Sequence, residues 1–371
     1  MRLLKYPYLV QREILENMEY PDLFMLSFVS KNTKKLIKST QMNRFKMISS
    51  IKYDTDRTDQ PYVYIAHENS NDQIMRIVED KETKKDDFQL SISGKTINFR
   101  LQEDDRNSRL ELPERFFSPY PVITYKQCDK ESVIKSIHDY LLDFFGTSVK
   151  YLWQAQDFKD TDFYIPFVSQ LQNVSFCIDL WLGWNFEEMA RLENFFALSP
   201  ILKSIQMYAR TTSQPFNPKS KFYQAESVEI DQYQHTVPDI LGRFQGRQAF
   251  IRCAECKRSA LIEFMNRWKS GEEFQNLEYL KIEIFGGEVL QNQILNAIEA
   301  KQLDATKQPP THNVPKVYNW YNRNPKTDPI ISHSYIVRQT DNRVATVLIQ
   351  WNTLTFGVWD ATEEQFLGMV N

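Results

Sequence analysis

The chain has 371 residues, and its 45 basic and 48 acidic residues give a formal net charge of −3 at pH 7. This near balance excludes a general electrostatic attraction to nucleic acid or to anionic membranes. Glycine is scarce, with 10 residues, which argues against glycine-rich loops that bind phosphate. At about 150 residues per domain, the length predicts two or three domains.

The cysteines and the hydropathy pattern predict the cellular compartment. Four cysteines are too few for a disulfide framework in a chain of this length, so we expect reduced thiols. The N-terminus lacks the apolar core of a signal peptide, and no later stretch approaches the roughly 18 apolar residues of a membrane span. We therefore expect a soluble protein of the cytoplasm or nucleus that has no membrane partner.

Apolar residues recur at helical spacing through residues 1–45 and predict three short amphipathic helices. The second begins near Pro21, whose fixed φ suits a first helical turn. Three helices of this size bury little surface, so we expect them to need a partner protein or to cap the next domain. The basic residues of this region favour an acidic protein partner over nucleic acid; they are Lys31, Lys34, Lys35, Lys38, Arg44 and Lys46.

Short alternating runs follow and predict a small antiparallel β region over residues 46–130. The predicted strands are 62–65, 74–78, 88–92 and 96–101. The last two flank Ser93-Gly94-Lys95, which is typical of a hairpin because glycine accepts the positive φ of a tight turn.

A helix over 132–145 precedes a weak repeat. The spacing apolar-x-x-apolar-x-apolar fits six segments, although Gln154 and Gln248 break it: 149–154, 171–176, 202–207, 225–230, 248–253 and 277–282. Helices are predicted between the strands at 187–197, 238–244 and 260–268. The period is close to that of leucine-rich repeats, so residues 131–300 are predicted to form a degenerate α/β solenoid of that kind. An ordinary mixed α/β sheet is the alternative.

The last region, residues 301–371, is predicted to be a linker and a C-terminal β-hairpin sheet. Prolines in 308–316 predict a connector without regular structure. A hairpin is predicted over 334–350 with its turn at Thr340-Asp341-Asn342, and a third strand over 354–360. The fold class predicted for the whole chain is α/β, or α+β overall.

No constellation of residues predicts catalysis, and no metal or cofactor is expected. Cys253 and Cys256 have the spacing of half a zinc site, but a second pair is missing because His235, His312 and His333 are scattered. Carboxylate pairs at 86–87, 104–105 and 272–273 lie in charged segments where water screens them. A hydrolase or transferase that uses Cys256 or a loop carboxylate stays as a third class of function.

Two stretches resemble a known family. The segment YPYLVQREILENMEYPDLFMLSFVSKNTKKLI (6–37) resembles an F-box, with an early proline, the Ile14-Leu15 pair, Leu23 with Leu26, and a closing Leu36-Ile37. Tyr6 stands where a leucine usually precedes the first proline. The segment 260–284, with SYIVRQTDNRVATVLI and LTFGVWD after it, is similar to the type 2 F-box-associated domain of nematode F-box families.

This resemblance implies a non-catalytic substrate-recognition subunit of an SCF-type cullin-RING ubiquitin ligase. The F-box would bind a Skp-type adaptor, and through it the cullin, while the second domain binds an unknown protein target. The alternative is a leucine-rich-repeat-like scaffold with a degenerate F-box and no ligase role. We expect that eight residues either pack inside the F-box or contact the adaptor: Pro7, Leu9, Ile14, Leu15, Leu23, Leu26, Val29 and Leu36.

The solenoid prediction also gives a candidate target-binding surface. Residues that alternate with the buried positions of each strand should face outward, and aromatic and charged side chains there suit protein recognition. An ordinary solvated sheet face is the alternative. The outward residues are predicted to be Tyr151, Trp153, Ser175, Gln206, Tyr208, Glu229, Asp231, Arg252, Tyr279, Lys281 and Glu283.

Overall fold

The computed structural model describes residues 3–55, 60–67, 71–80, 88–92, 94–102, 120–156, 170–183, 185–212, 214–232, 236–285, 290–320 and 324–370. The chain forms two units: the first comprises residues 1–156 and 166–175, and the second comprises 157–165 and 176–371. N-terminal helices precede a large, mostly β region, which confirms the α/β class. The domain boundaries after residues 45, 130 and 300 stay predictions.

Four helices begin the first unit: α1 (Tyr8–Glu16), α2 (Tyr20–Ser27), α3 (Lys31–Thr40) and α4 (Met42–Lys46). The three predicted helices are confirmed, and α4 was not predicted. Pro21 lies in the first turn of α2, where a missing N–H costs no hydrogen bond. Ser30 caps α3, because its hydroxyl accepts a hydrogen bond from the Thr33 N–H at 3.0 Å.

The sheet of the first unit has the strand order β7-β1-β2-β3-β6-β5-β4. Its elements are β1 (Ser50–Thr55), β2 (Tyr62–Ala66), β3 (Asn71–Glu79), β4 (Phe88–Ile92), β5 (Lys95–Gln102), β6 (Tyr120–Tyr125), α5 (Lys130–Phe145) and β7 (Lys150–Gln156). The prediction of an antiparallel region was wrong in part, because β1 pairs with β7 and β3 with β6 in parallel. The β4–β5 hairpin is confirmed, and Gly94 has the expected positive φ, +82°.

The second unit continues with β8 (Val174–Trp181), β9 (Asn185–Phe186), α6 (Met189–Leu198), β10 (Ser204–Ala209), β11 (Thr211–Thr212), β12 (Ser227–Gln232), α7 (Thr236–Arg243), β13 (Gln248–Cys253), α8 (Arg258–Ser270) and β14 (Tyr279–Ile284). Strands β8, β10, β12, β13 and β14 are parallel neighbours, and the three predicted helices lie between them in the chain. One face of these strands is apolar and buried; Ile205, Val228, Ala249 and Leu280, for example, lie side by side.

The remaining elements are α9 (Gln291–Ala297), β15 (Lys301–Gln302), β16 (Thr311–His312), β17 (Ile330–Ile331), β18 (Ser334–Val337), β19 (Arg343–Gln350), β20 (Thr353–Thr362) and α10 (Glu363–Leu367). Strands β20, β19, β18 and β15 extend this sheet beyond β14, whereas β16 and β17 form a separate pair. The predicted hairpin is β18–β19, and β20 is the predicted third strand, which also pairs antiparallel with β14. The connector prediction for 308–316 was wrong at one point, because β16 pairs with β17.

The strand register corrects the repeat alignment. Ser204, Ser227 and Gln248 lie in register, so the positions two residues before them, Leu202, Ala225 and Gly246, are equivalent. The predicted repeat at 248–253 was therefore misplaced by two residues. A Cβ on Gly246 would lie 2.1 Å from the Ala225 carbonyl oxygen, so no apolar side chain fits at the position where the repeat pattern requires one.

Candidate protein-binding surfaces

The N-terminal helices expose an apolar surface. Eight of the seventeen large hydrophobic side chains that are exposed in the described part of the chain lie among residues 3–47: Leu4, Tyr6, Tyr8, Leu9, Val10, Val29, Met42 and Met47. Leu9 is 75% exposed and Val29 is 70% exposed. Isolated exposed apolar residues are common, but such a concentration is typical of an interaction surface.

Another face of the same helices is covered by the chain itself. Phe24 and Phe28 pack against Tyr140 of α5 with ring centroids 5.9 Å and 4.5 Å away. Phe45 packs edge-on against Phe144, one turn further along α5, at 5.4 Å. These aromatic contacts bury one side of the helices within the first unit, whereas Leu9 and Val29 stay exposed.

A second candidate surface is the face of the five parallel strands that lies opposite the apolar one; we call it the strand face. In-register residues form three rows across it. The first row contains Cys177, Ser204, Ser227, Gln248 and Tyr279. The second row contains Asp179, Gln206, Glu229, Phe250 and Lys281. The third row contains Trp181, Tyr208, Asp231, Arg252 and Glu283.

A segment of the chain lies across the first row; we call residues 311–320 the strap. The amide of Gln248 holds its backbone, donating to the Pro315 carbonyl at 2.8 Å and accepting from the Val317 N–H at 3.0 Å. Trp320 donates from Nε1 to Ser204 Oγ at 3.3 Å. The strap therefore runs across the strands and covers the first row, whereas the second and third rows stay partly or fully exposed.

The predicted outward residues divide accordingly. Seven lie together in the second and third rows: Gln206, Tyr208, Glu229, Asp231, Arg252, Lys281 and Glu283. Tyr279 shares their face but is fully buried, because the strap and the stacked ring of His312 cover it. Trp181 and Phe250 belong to the rows but were not predicted; correct alternation along β8 and β13 would have found them.

For Tyr151 and Trp153 the outward prediction was wrong, since both are fully buried in the first unit. The Tyr151 hydroxyl donates to the carbonyls of Leu141 and Gly146, both at 3.1 Å. Trp153 stacks on Tyr53 with ring centroids 5.3 Å apart. On β7 the alternating aromatic side chains thus fill the core beneath α5.

Charged side chains form a ladder along the third row. Arg252 contacts Asp231 at 3.1 Å and Glu283 at 3.8 Å, so one cation is shared by two carboxylates. Burial raises the pKa of Asp231, and Arg252 opposes this shift. Glu229 lies at the surface, yet neighbouring side chains displace part of its water and raise its pKa, against the effect of Lys316 and Arg252.

Comparison with known protein families explains the N-terminal helices. Residues 7–45 match the F-box domain. An F-box in general indicates a substrate-adaptor role in SCF-type ubiquitin ligases, and F-box proteins are typically adaptors rather than enzymes. No curated protein and no solved structure shows significant similarity to the chain.

The structure separates the eight residues that were expected to divide between F-box packing and adaptor contact. Leu15 and Leu23 are fully buried, so both belong to the internal packing and not to an adaptor contact. Ile14, Leu26 and Leu36 are partly buried. Pro7, Leu9 and Val29 are exposed.

The basic residues of the F-box are partly used within the first unit. Lys34 Nζ lies 2.5 Å from an Asp143 carboxylate oxygen and 3.5 Å from the centroid of the Tyr140 ring, and Lys38 contacts Asp143 at 3.1 Å. The hydrogen bond from Lys34 lowers the pKa of Asp143. The basic residues that remain exposed are Lys31, Lys35 and Lys46.

Among the residues that the structure describes, the groups considered for chemistry do not assemble into a site. Burial raises the pKa of Cys253 to about 12 and that of Cys256 to about 11, so neither forms a thiolate readily at neutral pH. Glu273 pairs with Arg267, and the carboxylates at 86–87 and 104–105, like His235, lie outside the described residues. Within the described ranges, no three His, Cys, Asp or Glu side chains cluster as metal ligands. Among the same residues, no helix has the length and apolar character to cross a membrane.

Proposed function

We propose that this protein is the substrate-recognition subunit of an SCF-type cullin-RING ubiquitin ligase. Its F-box binds a Skp-type adaptor, which links it to the cullin, and its second unit binds a protein target through the strand face. The observation that carries the proposal is the exposed apolar surface of the F-box helices, within the family match at residues 7–45.

The energetics of this surface favour a partner. Fully burying a leucine or valine side chain is worth about 1.5–3 kcal/mol. Leu9 and Val29 leave most of that free energy unused in the free chain, because each is at least 70% exposed. An adaptor that covers both side chains gains it, which is how a few apolar anchors dominate an interface.

The contribution of such a subunit is positional. A target held on the strand face is kept near the transferase arm of the ligase, which raises its effective concentration there without any chemistry by this chain. The resemblance of residues 260–284 and of the β18–β20 strands to a type 2 F-box-associated domain supports these separate roles, adaptor binding by the F-box and target binding by the second unit. The same proposal includes a leucine-rich-repeat-like character for the five parallel strands.

One observation favours the alternative, a protein-binding scaffold whose F-box recruits no ligase. Phe24, Phe28 and Phe45 pack against α5, so the helices also act as a cap on their own unit. A cap needs no adaptor.

Co-expression with a Skp-type adaptor distinguishes the two functions. We expect the adaptor to co-purify with the full chain. The double variant Leu9→Asp, Val29→Asp should capture at least tenfold less adaptor than the wild-type chain. The matched control is Ile201→Asp, which places the same charge on an exposed apolar residue of the second unit. Point variants are preferable to deletion of residues 1–45, because deletion would uncover Tyr140 and Phe144. An unaffected adaptor yield in the double variant, or no adaptor with the wild-type chain, contradicts the proposal.

A further inference from the structure

The strap shows how the strand face accepts polypeptide. It crosses from β20, where His312 Nε2 donates to the Val358 carbonyl at 3.0 Å, over Gln248 of β13 to Ser204 of β10. The contacts that hold it on the strands are made by side-chain imidazole, amide, hydroxyl and indole groups, because a chain that lies across the strands cannot add to their hydrogen-bond ladder. The strand face therefore already binds an extended segment that runs across the strands and that pairs along its length with residues 325–331.

The two open rows beside the strap have a defined length. The third row runs from Trp181 on β8 to Glu283 on β14, across four strand spacings. At about 4.8 Å per spacing this is about 19 Å, and an extended chain that rises about 3.3 Å per residue covers it with about six residues.

The polar groups of these rows favour a cationic ligand. Around the open rows, Glu229, Asp231, Glu283 and Asp328 outnumber Arg252, Lys281 and Lys316. The cations already face acidic partners: Lys281 pairs with Asp328 at 2.7 Å, and Arg252 is shared between Asp231 and Glu283. The net charge is negative, so an approaching cation is attracted.

Two hydrogen-bond acceptors point to the same chemistry. In the described part of the chain, Gln206 Oε1 and Asp231 Oδ1 are buried atoms without a hydrogen-bond partner. Both belong to partly exposed side chains of the second and third rows. Since both atoms only accept, a ligand that satisfies them brings N–H donors.

An aromatic platform lies at the β8 end of the third row. The rings of Trp181 and Tyr208 stack with centroids 4.0 Å apart and an interplanar angle of 15°, and Tyr208 lies in register with Asp231. A guanidinium group stacks on such a ring while it donates to a neighbouring carboxylate. The platform and the carboxylate thus suit one arginine side chain together.

We propose that the target segment read by this face is an extended stretch of about six residues that lies beside the strap and carries an arginine, with its guanidinium on the Tyr208–Asp231 pair. This inference rests on the proposed function and names the chemistry of the target. The strap and the segment 325–331 that pairs with it form one wall of the groove, and the second and third rows form its floor.

The test measures fluorescence polarisation of labelled hexapeptide pools on the full chain in complex with its adaptor. Two pools are identical except that one fixed position is Arg in the first and Glu in the second. We expect saturable binding of the Arg pool alone. The variant Glu229→Gln, Asp231→Asn should weaken it at least tenfold, and Tyr208→Ala should weaken it about as much. The matched control, Asp360→Asn with Glu364→Gln, also replaces two carboxylates of the second unit with amides and should leave binding unchanged.

Each outcome decides the inference. Equal binding of both pools, no binding of the Arg pool, or equal loss in the control variant overturns it. Adaptor co-purification is measured on the same sample, so a failure of the ligase role can be distinguished from a failure of the arginine-bearing segment. A complex that retains the adaptor but binds no Arg pool rejects the arginine-bearing segment and leaves the ligase role standing. A chain that binds the Arg pool without any adaptor rejects the ligase role instead.

Discussion

Gly357 of β20 offers a sharp test of how the strap is held. A Cβ at this position would lie 2.6 Å from His312 Nδ1 and 2.8 Å from Ile330 Cδ1. Ordinary contacts between such atoms are about 3.5–4.0 Å, so Gly357→Ala must push the β16–β17 pair outward by about 1 Å. His312 and Ile330 are both buried, and neither has open space to move into.

The magnitude follows from two opposing effects. Overpacking of this kind costs about 1–3 kcal/mol, whereas replacing a strand glycine by alanine recovers about 0.5–1 kcal/mol of conformational entropy. We expect Gly357→Ala to lower the free energy of unfolding by about 1–2 kcal/mol, with the change concentrated at the strap. Hydrogen exchange should show faster exchange of the strap amides, including Val317, while the amides of β12 and β13 stay protected.

A double-mutant cycle checks the cause. In a His312→Ala background the imidazole that meets the new methyl group is gone, so Gly357→Ala should cost about 1 kcal/mol less than it does alone. Unchanged strap exchange in Gly357→Ala, or equal costs in the two backgrounds, would refute the reasoning that contact with His312 holds the strap on the sheet.

Further predictions concern packing, titration and the F-box. Gly246→Ala should lower the free energy of unfolding by about 3 kcal/mol, since its methyl group meets backbone carbonyls. Gly242→Ala, whose new methyl group would have its nearest atom 3.6 Å away, should raise the free energy of unfolding by about 0.5–1 kcal/mol. Thermal melts compare the two variants, and similar melting temperatures would contradict the prediction. Burial lowers the pKa of His138 below its ordinary value of 6.5, so the stabilising effect of this histidine is complete above pH 6.5 and is lost as the pH falls through the folded-state pKa. In urea unfolding, His138→Gln should therefore cost less stability at pH 5.5 than at pH 7.5. A cost that does not change with pH would argue against this role of His138. Leu23→Ala should destabilise the first unit by about 2–5 kcal/mol, while Val29→Ala should leave melting unchanged and weaken adaptor capture; the reverse pattern would place the adaptor surface elsewhere.

The elements that could be predicted from sequence are those with local signals. The helices α1 to α3 and α5 have apolar residues at helical spacing, and the β4–β5 hairpin has a glycine with positive φ at its turn. Strands β1 and β6 were not predicted. Each has an antiparallel partner nearby, β2 or β5, and a parallel partner that is distant in the chain. The pairing with the distant strand cannot be predicted from a short window of sequence.

The candidate site shows the same limit. Alternation along a strand predicts which residues share a face, and it placed Gln206, Glu229 and Lys281 together, as the register has them. It does not predict whether that face is covered. Tyr279 is buried by a segment more than thirty residues later in the chain, and Trp153 is buried against Tyr53 of β1, a strand far earlier in the chain.

Gln248 links the failed repeat pattern to the strap. In the sequence it breaks the apolar spacing, and in the structure it is fully buried on the side of β13 opposite Ile251. A buried amide is costly unless its donor and its acceptor are both paired, and the backbone of Pro315 and Val317 pairs both. An apolar residue here would leave the Val317 N–H and the Pro315 carbonyl without these partners, so the polar residue is the one that allows the strap to lie on the sheet. The glutamine that weakens the repeat in the sequence is therefore the residue that gives the proposed groove its wall.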